Sequence, residues 1–124
     1  ELREKLQGAL PAISLSAHTS LMTATINDND ADMVFAQQVY GYAKDNDLLI
    51  AISTSGNSQN VVNAVKVAKT LGVKVVALTG QTGGMLKEMA DVTICAPSTE
   101  TYKIQEYHLP IYHYLCAKVE NEIF

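Results

Sequence analysis

The densest group of side chains that could do chemistry is a six-residue segment, Ser53-Thr54-Ser55-Gly56-Asn57-Ser58, with four hydroxyls and one glycine. It follows an apolar run at residues 48–52 and precedes a helical pattern that begins near Asn60. A helix N-terminus offers unpaired N–H groups and the positive end of a dipole, and hydroxyls add rotatable donors. Together they favour a bound phosphate. A single helix cap would explain only one of these polar residues. No lysine stands where a nucleotide-binding P-loop needs one, so a triphosphate is not expected.

A second loop, residues 79–84, follows the next apolar run of the chain. Turn geometry alone explains its three glycines, and it lacks the hydroxyl density of loop 53–58. We therefore interpret it as a structural turn. No helix opens with the G-x-G-x-x-G pattern, so nothing supports a dinucleotide site.

Asn27 and Asp28 stand in an acidic stretch that reads as a turn. Its alternating acids hint at a calcium loop, but Met33 and Val39 occupy the positions where such a loop needs glycine and glutamate. Two interpretations remain open for Asn27 and Asp28. One is a turn followed by a helix cap at Asp32, and the other is a polar contact to a substrate.

The last part of the chain, residues 104–124, is predicted to be one amphipathic helix that carries Gln105, His108 and His113. His108 lies in the apolar stripe, which favours a core or interface histidine. Gln105 and His113 are eight residues apart, which is about 12 Å of rise and about 80° of rotation on a straight helix. They could share a small ligand only at full stretch, or if one of them reaches into another subunit. The spacing leaves a functional role for His113 open, and Pro110 is expected to bend the helix.

Strands that alternate with helices must position these side chains. Strands are predicted at residues 12–15, 48–52, 73–78 and 92–95, the last three covered on both faces. Helices are predicted at residues 21–26, 60–71, 85–90 and 104–124, with one more between a cap at Asp32 and a stop at Asp45. This order indicates parallel β-α-β units and the α/β class, in which ligands bind at the carboxyl ends of the strands.

The composition excludes several classes of function. The 124 residues are 48% hydrophobic and 18% charged, which fits one folded domain and argues against disorder or a coiled coil. The net charge is −4 and the basic residues are scattered singly, so no nucleic acid or anionic membrane is expected as a partner. The longest apolar runs are too short to cross a bilayer. Two isolated cysteines, without a secretory signal, fit a cytoplasmic location.

The segment Ala51-Ile52-Ser53-Thr54-Ser55-Gly56-Asn57-Ser58 resembles the hallmark sequence of the sugar isomerase (SIS) domain family, whose members bind phosphosugars. Four further stretches, in the same order along the chain, resemble the phosphoheptose isomerase branch of that family. They are Pro11-Ala12-Ile13, Ile26-Asn27-Asp28, Ala77-Leu78-Thr79-Gly80 with Gly83-Gly84, and Lys103-Ile104-Gln105-Glu106 with His108 and His113.

The resemblance implies one SIS domain over residues 1–124, with a three-layer α/β/α fold, a parallel sheet and a long C-terminal helix. It implies a cytoplasmic enzyme that interconverts sedoheptulose 7-phosphate and a manno-heptose 7-phosphate. In this family the active sites lie between the subunits of a homotetramer, and some members bind zinc. Relative to the family the domain is expected to be N-terminally incomplete, because the Gly-Asn-Gly-Gly-Ser loop and the catalytic Glu have no counterpart here. Tyr102 stands where many members have Asp.

Carried over residue by residue, the resemblance gives each candidate a role. Phosphate binding falls to the hydroxyl residues Ser53, Thr54, Ser55 and Ser58. Asn27, Asp28 and Gln105 would contact the substrate. His113 would act as an acid/base residue, and Gln105 and His113 would be zinc ligands in members that carry the metal.

Two other functions compete with the isomerase. One is a non-catalytic regulator that binds sugar phosphate, similar to the homologue that associates with a replication initiator. In that homologue arginine replaces the second serine of Ser-Thr-Ser and asparagine replaces the late histidine, whereas this chain has Ser55 and His113. We therefore favour the isomerase. The other alternative, a receiver-type signalling domain, is excluded because Asp47 precedes its strand instead of ending it.

Overall fold

Three parallel strands form a single sheet in the order β1-β2-β3, in a computed structural model that describes all 124 residues. The strands are β1, Leu48–Ile52; β2, Lys74–Thr79; and β3, Val92–Cys95. In the register, Ile52 of β1 lies opposite Leu78 of β2, and Leu78 lies opposite Ile94 of β3. The carboxyl ends of all three strands therefore meet at one edge of the sheet.

Five helices connect and follow these strands. They are α1, Thr19–Asp28; α2, Val34–Tyr42; α3, Gln59–Thr70; α4, Gly84–Met89; and α5, Thr101–Ile123. Short 3-10 turns occupy Arg3–Lys5 and Ala31–Met33. The α/β class, the parallel sheet and the long C-terminal helix are confirmed. No helix is both long and apolar enough to cross a membrane.

The core lies between α3 and one face of the sheet. Val62, Val65 and Ala68 recur every three residues along α3, and each is fully buried. They pack with residues of the inner face of the sheet, among them Ala51, Val75 and Ala77. Burying one valine contributes about 1.5–3 kcal/mol, so this layer fixes α3 on the sheet. Val61, next to Val62 in the chain, is partly buried and also packs against this core.

The predicted strand at residues 12–15 is wrong. This segment has no strand partner, since the sheet consists of β1, β2 and β3 alone. The Leu15 carbonyl accepts a hydrogen bond of 2.8 Å from Nε2 of Gln38, a buried residue of α2. A side chain thus satisfies the backbone group that a neighbouring strand would otherwise pair.

Strand β1 is not covered on both faces, which corrects the prediction for this strand. Leu48, Ile50 and Ile52 are 55%, 51% and 48% exposed, whereas Ala51 between them is buried. Within this chain β1 therefore alternates in burial, as a strand with one covered face does. Strand β2 comes closer to the prediction, because Val75, Ala77, Leu78 and Thr79 are all fully buried.

Two predicted boundaries also shift. Helix α1 includes Asn27 and Asp28, so both residues lie at its C-terminal end and not in a turn. Asp32 does not cap α2, which begins after Met33 without a side-chain cap. The Asp30 carboxylate caps the preceding 3-10 turn instead, where it accepts from the Asp32 N–H at 2.8 Å. Helix α5 begins three residues earlier than predicted and is continuous through Pro110.

Candidate functional site

The hydroxyl-rich loop begins where β1 ends. The Ser53 N–H donates to the Leu78 carbonyl at 3.0 Å, which extends the pairing with β2 by one residue. The Ser53 side chain is buried, and its Oγ lies 2.9 Å from Oγ of Ser58. This hydrogen bond closes the loop on itself.

Ser58 leads directly into α3 without capping it. Its side chain makes no capping hydrogen bond, although its carbonyl accepts from the Val62 N–H at 2.9 Å. The N–H groups of Gln59 and Asn60 have no acceptor within the chain. The helix therefore presents free donors and the positive end of its dipole beside the loop hydroxyls, as an anion site requires.

Glycine is needed at position 56 for two reasons. Its φ is +68°, in the left-handed region, and a Cβ there would overlap the carbonyl of Gly83. The Gly56 carbonyl also accepts from the Leu86 N–H at 3.0 Å. The loop at residues 53–58 is therefore packed directly against the loop that follows β2.

Asn57 serves this contact between loops. Its Oδ1 accepts from the Met85 N–H at 2.8 Å, at the start of α4. Ser55 Oγ accepts from the Asn57 N–H at 3.1 Å, which leaves the Ser55 hydrogen free to donate elsewhere. The sequence pattern did not reveal this role for Asn57.

Loop 79–84 has the structural role that its glycines indicated. The Gly80 N–H donates to the Thr54 carbonyl at 2.9 Å, and the Gln81 N–H donates to the Ser98 carbonyl at 3.0 Å. A Cβ on Gly80 would lie 2.5 Å from Cδ1 of Ile104 and 2.7 Å from the Thr54 carbonyl oxygen. Position 80 therefore has no room for a side chain, because loop 53–58 and Ile104 of α5 both contact the backbone there.

Helix α5 is held to the rest of the chain by two buried residues one turn apart, Ile104 and His108. His108 is 2% exposed, and its Nε2 lies 2.9 Å from the Thr79 carbonyl oxygen. Because a carbonyl only accepts, Nε2 carries the hydrogen; Nδ1 has no hydrogen-bond partner. The interpretation of His108 as a core histidine agrees with this position.

The remaining candidates lie on exposed surfaces. Asn27 and Asp28 are at the end of α1, and Gln105 and His113 are on α5. The His113 ring stacks edge-on against Tyr112, with ring centroids 5.3 Å apart. The structure thus brings Ser53, Thr54, Ser55 and Ser58 together in one loop. No hydrogen bond within this chain joins the other four candidates to that loop.

A zinc site is not formed by this chain alone. Zinc in proteins takes four ligands, or three together with water. No group of three or more His, Cys, Asp or Glu side chains is placed to hold a metal ion. Gln105 and His113 supply two donors at most, so these residues do not fit a zinc site without further ligands.

The one clear pKa change lies away from the candidate site. Asp91, next to the start of β3, accepts from Lys69 Nζ at 2.9 Å and from the Val75 N–H at 2.7 Å. The hydrogen bond from Lys69 is the main cause that holds the Asp91 pKa below its usual value, followed by the Val75 N–H. This group ties the end of α3 to β2 and β3 and has a structural role.

Comparison with known proteins agrees with this fold. The SIS domain model matches residues 5–80. The chain is 48% identical over 114 residues to the phosphoheptose isomerase of Aliarcobacter butzleri, covering 92% of this chain and 60% of that relative.

Two solved structures are also similar. A phosphoheptose isomerase from Francisella tularensis matches with a TM-score of 0.88 at 39% identity, over 91% of this chain and 63% of that one. The enzyme from Neisseria gonorrhoeae gives 0.84 at 41% identity, over 86% and 61%. The chain therefore spans about 60% of the length of these relatives. The chain belongs to the SIS domain family, and within it resembles the phosphoheptose isomerases.

Proposed function

We propose that this protein is a phosphosugar isomerase that interconverts sedoheptulose 7-phosphate and a manno-heptose 7-phosphate, with residues 1–124 forming one SIS domain. The observation that carries the proposal is the closed hydroxyl loop at the N-terminus of α3, where free N–H groups and the Ser55 hydroxyl can converge on a phosphate. The similarity to phosphoheptose isomerases over 92% of the chain supports the choice of substrate.

The phosphate group anchors the substrate far from the reacting carbons. Ser53, Thr54, Ser55 and Ser58 hold its oxygens, together with the N–H groups at the start of α3. Binding energy gained at this remote group positions the sugar end without any contact to the carbonyl. Asn27, Asp28 and Gln105 provide amide and carboxylate groups that suit the hydroxyls of the sugar chain.

Moving the carbonyl between C1 and C2 needs one group that takes the proton from carbon and one that serves the oxygens through an enediol. His113 is assigned one of these proton transfers, because the ordinary pKa of imidazole lies near neutrality. Each such group contributes about 10²–10⁴-fold to the rate. No residue of this chain is assigned the second transfer.

The site is proposed to be completed by another copy in a homotetramer. Gln105 and His113 are exposed on α5, and the same helix carries Tyr107, Tyr112 and Tyr114, which are 47%, 37% and 65% exposed. Exposed aromatic residues at this density favour a protein interface. A zinc role for Gln105 and His113 would need further ligands from outside these residues, so no catalytic step is assigned to the metal. The two free cysteines fit a cytoplasmic location.

A non-catalytic regulator is the less favoured function. Ser55 and His113 are both present here, and the relatives described above are isomerases. The deciding experiment is a direct assay of the full-length protein with sedoheptulose 7-phosphate, following the aldose product by NMR. Phosphate-dependent binding without turnover would favour the regulator.

A further inference from the structure

One peptide group couples α5 to the phosphate loop. The carbonyl of Thr79 accepts from His108 Nε2 at 2.9 Å, and the N–H of the same peptide bond, on Gly80, donates to the Thr54 carbonyl at 2.9 Å. A peptide group is planar and rigid, so its two ends cannot move independently. The position of the His108 ring is thereby linked to the position of Thr54.

Little else fixes α5. Of its 23 residues only Ile104 and His108 are buried. Ile104 contacts Gly80 by packing alone, whereas His108 makes a buried hydrogen bond. A second side-chain hydrogen bond to α5, from Gln7 Nε2 to Glu120 Oε1 at 3.1 Å, is exposed. The Ala96 N–H also bonds to the Thr79 carbonyl at 2.9 Å, so that carbonyl stays paired when His108 is replaced.

We propose that His108 is a positioning residue, which sets Gln105 and His113 relative to the phosphate loop through the Thr79–Gly80 peptide. This inference rests on the proposed function. Gln105 is one turn before His108 and His113 is five residues after it, so a shift of α5 moves both groups. Without His108, the Ala96 N–H still holds the Thr79 carbonyl and the Gly80 N–H still holds the Thr54 carbonyl. The loop at residues 53–58 therefore stays in place when α5 shifts, and we expect phosphate affinity to be unchanged.

A matched pair of variants in the full-length protein tests the bond. In His108→Gln the side-chain amide reaches about as far as Nε2 and can donate to the Thr79 carbonyl. His108→Met has similar length and bulk but no donor. His108→Met should lower kcat by about 10- to 100-fold, as small misplacements of reacting groups do. His108→Gln should stay within about threefold of the parent, and the Kd for inorganic phosphate should remain unchanged in both.

Two further measurements separate positioning from loss of stability. Phosphate-binding stoichiometry by calorimetry gives the folded fraction of each variant. Val65→Ala, a core truncation in α3 that does not touch α5, should leave kcat per folded site unchanged. Equal kcat in His108→Met and His108→Gln, whether both are normal or both are low, would overturn the proposal.

A readout without turnover keeps the inference separate from the proposed function. Hydrogen–deuterium exchange at residues 104–108 should be about tenfold faster in His108→Met than in His108→Gln, with α3 unchanged in both. If the parent binds phosphate but isomerises no heptose phosphate, the proposed function fails, and this exchange comparison alone decides whether His108 anchors α5. Identical exchange in the two variants would refute the anchor.

Discussion

The Oγ atoms of Ser53 and Ser58 lie 2.9 Å apart, so one hydrogen bond closes the loop between β1 and α3. One hydroxyl donates to the other, and a single hydrogen of the pair remains for an external acceptor. Ser53 is buried beneath this bond, whereas Ser55 is exposed. The hydroxyl residues of the loop are therefore not equivalent, and Ser55 is better placed than Ser53 to donate to a phosphate.

Replacing Ser55 should weaken phosphate binding. A hydrogen bond to a charged group contributes about 1.5–3 kcal/mol, so Ser55→Ala should raise the Kd for sedoheptulose 7-phosphate by about 10- to 150-fold. Titration calorimetry measures this, with Ser20→Ala in α1 as a matched exposed control. Unphosphorylated sedoheptulose should bind far more weakly than the phosphate ester. Equal affinities of the ester for parent and Ser55→Ala would contradict the role of this serine.

The change in the free energy of unfolding when a glycine is replaced by alanine should depend on the atoms around that glycine. Gly72→Ala meets no atom within 4 Å, so only its positive φ opposes the change, at about 1–2 kcal/mol. Gly56→Ala adds overlap with Gly83 and should reduce the free energy of unfolding by about 2–5 kcal/mol. Gly41→Ala, within α2 and in open space, should stabilise by about 0.5–1 kcal/mol. Urea unfolding measures all three, and equal midpoints for Gly56→Ala and Gly72→Ala would refute the tight fit of the loops.

His113 should be needed for turnover and not for folding. In the full-length protein, His113→Gln should lower kcat by about 10²–10⁴ because a proton-transfer group is lost while a polar side chain remains. Lys118→Gln, also exposed on α5, is the control and should have little effect. A kcat within threefold of the parent would remove His113 from the mechanism and favour the regulator.

Asp91 should make the free energy of unfolding fall as the pH is lowered into the acid range. Its pKa is lowered in the folded state, so its contribution is complete above the unfolded value of about 3.9 and is lost as the pH falls through the folded pKa. Asp91→Asn should lower Tm at neutral pH and flatten its dependence on pH below about 4. Asp45→Asn, at an exposed aspartate without hydrogen bonds, is the matched control. A parallel acid profile for parent and Asp91→Asn would contradict this linkage.

The protein should form an oligomer through α5. Tyr114 and Ile123 are 65% and 54% exposed, and a charge at either position should oppose burial in an interface. Light scattering should give a mass above that of one chain for the parent, and a smaller mass for the double variant Tyr114→Glu, Ile123→Glu. A monodisperse monomer in the parent would rule out the proposed assembly.

Local pattern predicted much of this fold. The spans of β1 and β3 match the apolar runs, and loop 53–58 lies at the predicted strand-to-helix turn. A strand at residues 12–15 needs a neighbouring strand to pair with, which the local pattern does not show. In the structure the Gln38 side chain, and not a strand, donates to the Leu15 carbonyl. The open face of β1 was missed for a similar reason. A run of consecutive apolar residues predicts a buried strand, but it does not show whether the residues that bury it belong to the same chain.

The site was predictable only in part. Hydroxyl density predicted a loop at residues 53–58 before a helix, and the structure has that loop between β1 and α3, because helix N-termini and their donors are local features of sequence. Phosphate binding by this loop stays a prediction. The partner of His108 was not predictable, since Thr79 lies 29 residues away and only the packing of α5 brings its carbonyl within reach. Asn57 was missed because its amide serves a helix that begins 27 residues later.

The fit of Gly56 against Gly83 bears on protein engineering. Residues 53–58 cannot be expected to keep their conformation in another protein, because they pack against and hydrogen-bond to residues 79–84 of the neighbouring connection. A designer who transplants residues 53–58 alone into another parallel sheet would leave behind the residues that hold them in shape. The smallest transferable unit is the pair of adjacent βα turns. It includes Gly56, Gly83 and the hydrogen bond from the Met85 N–H to Asn57 Oδ1.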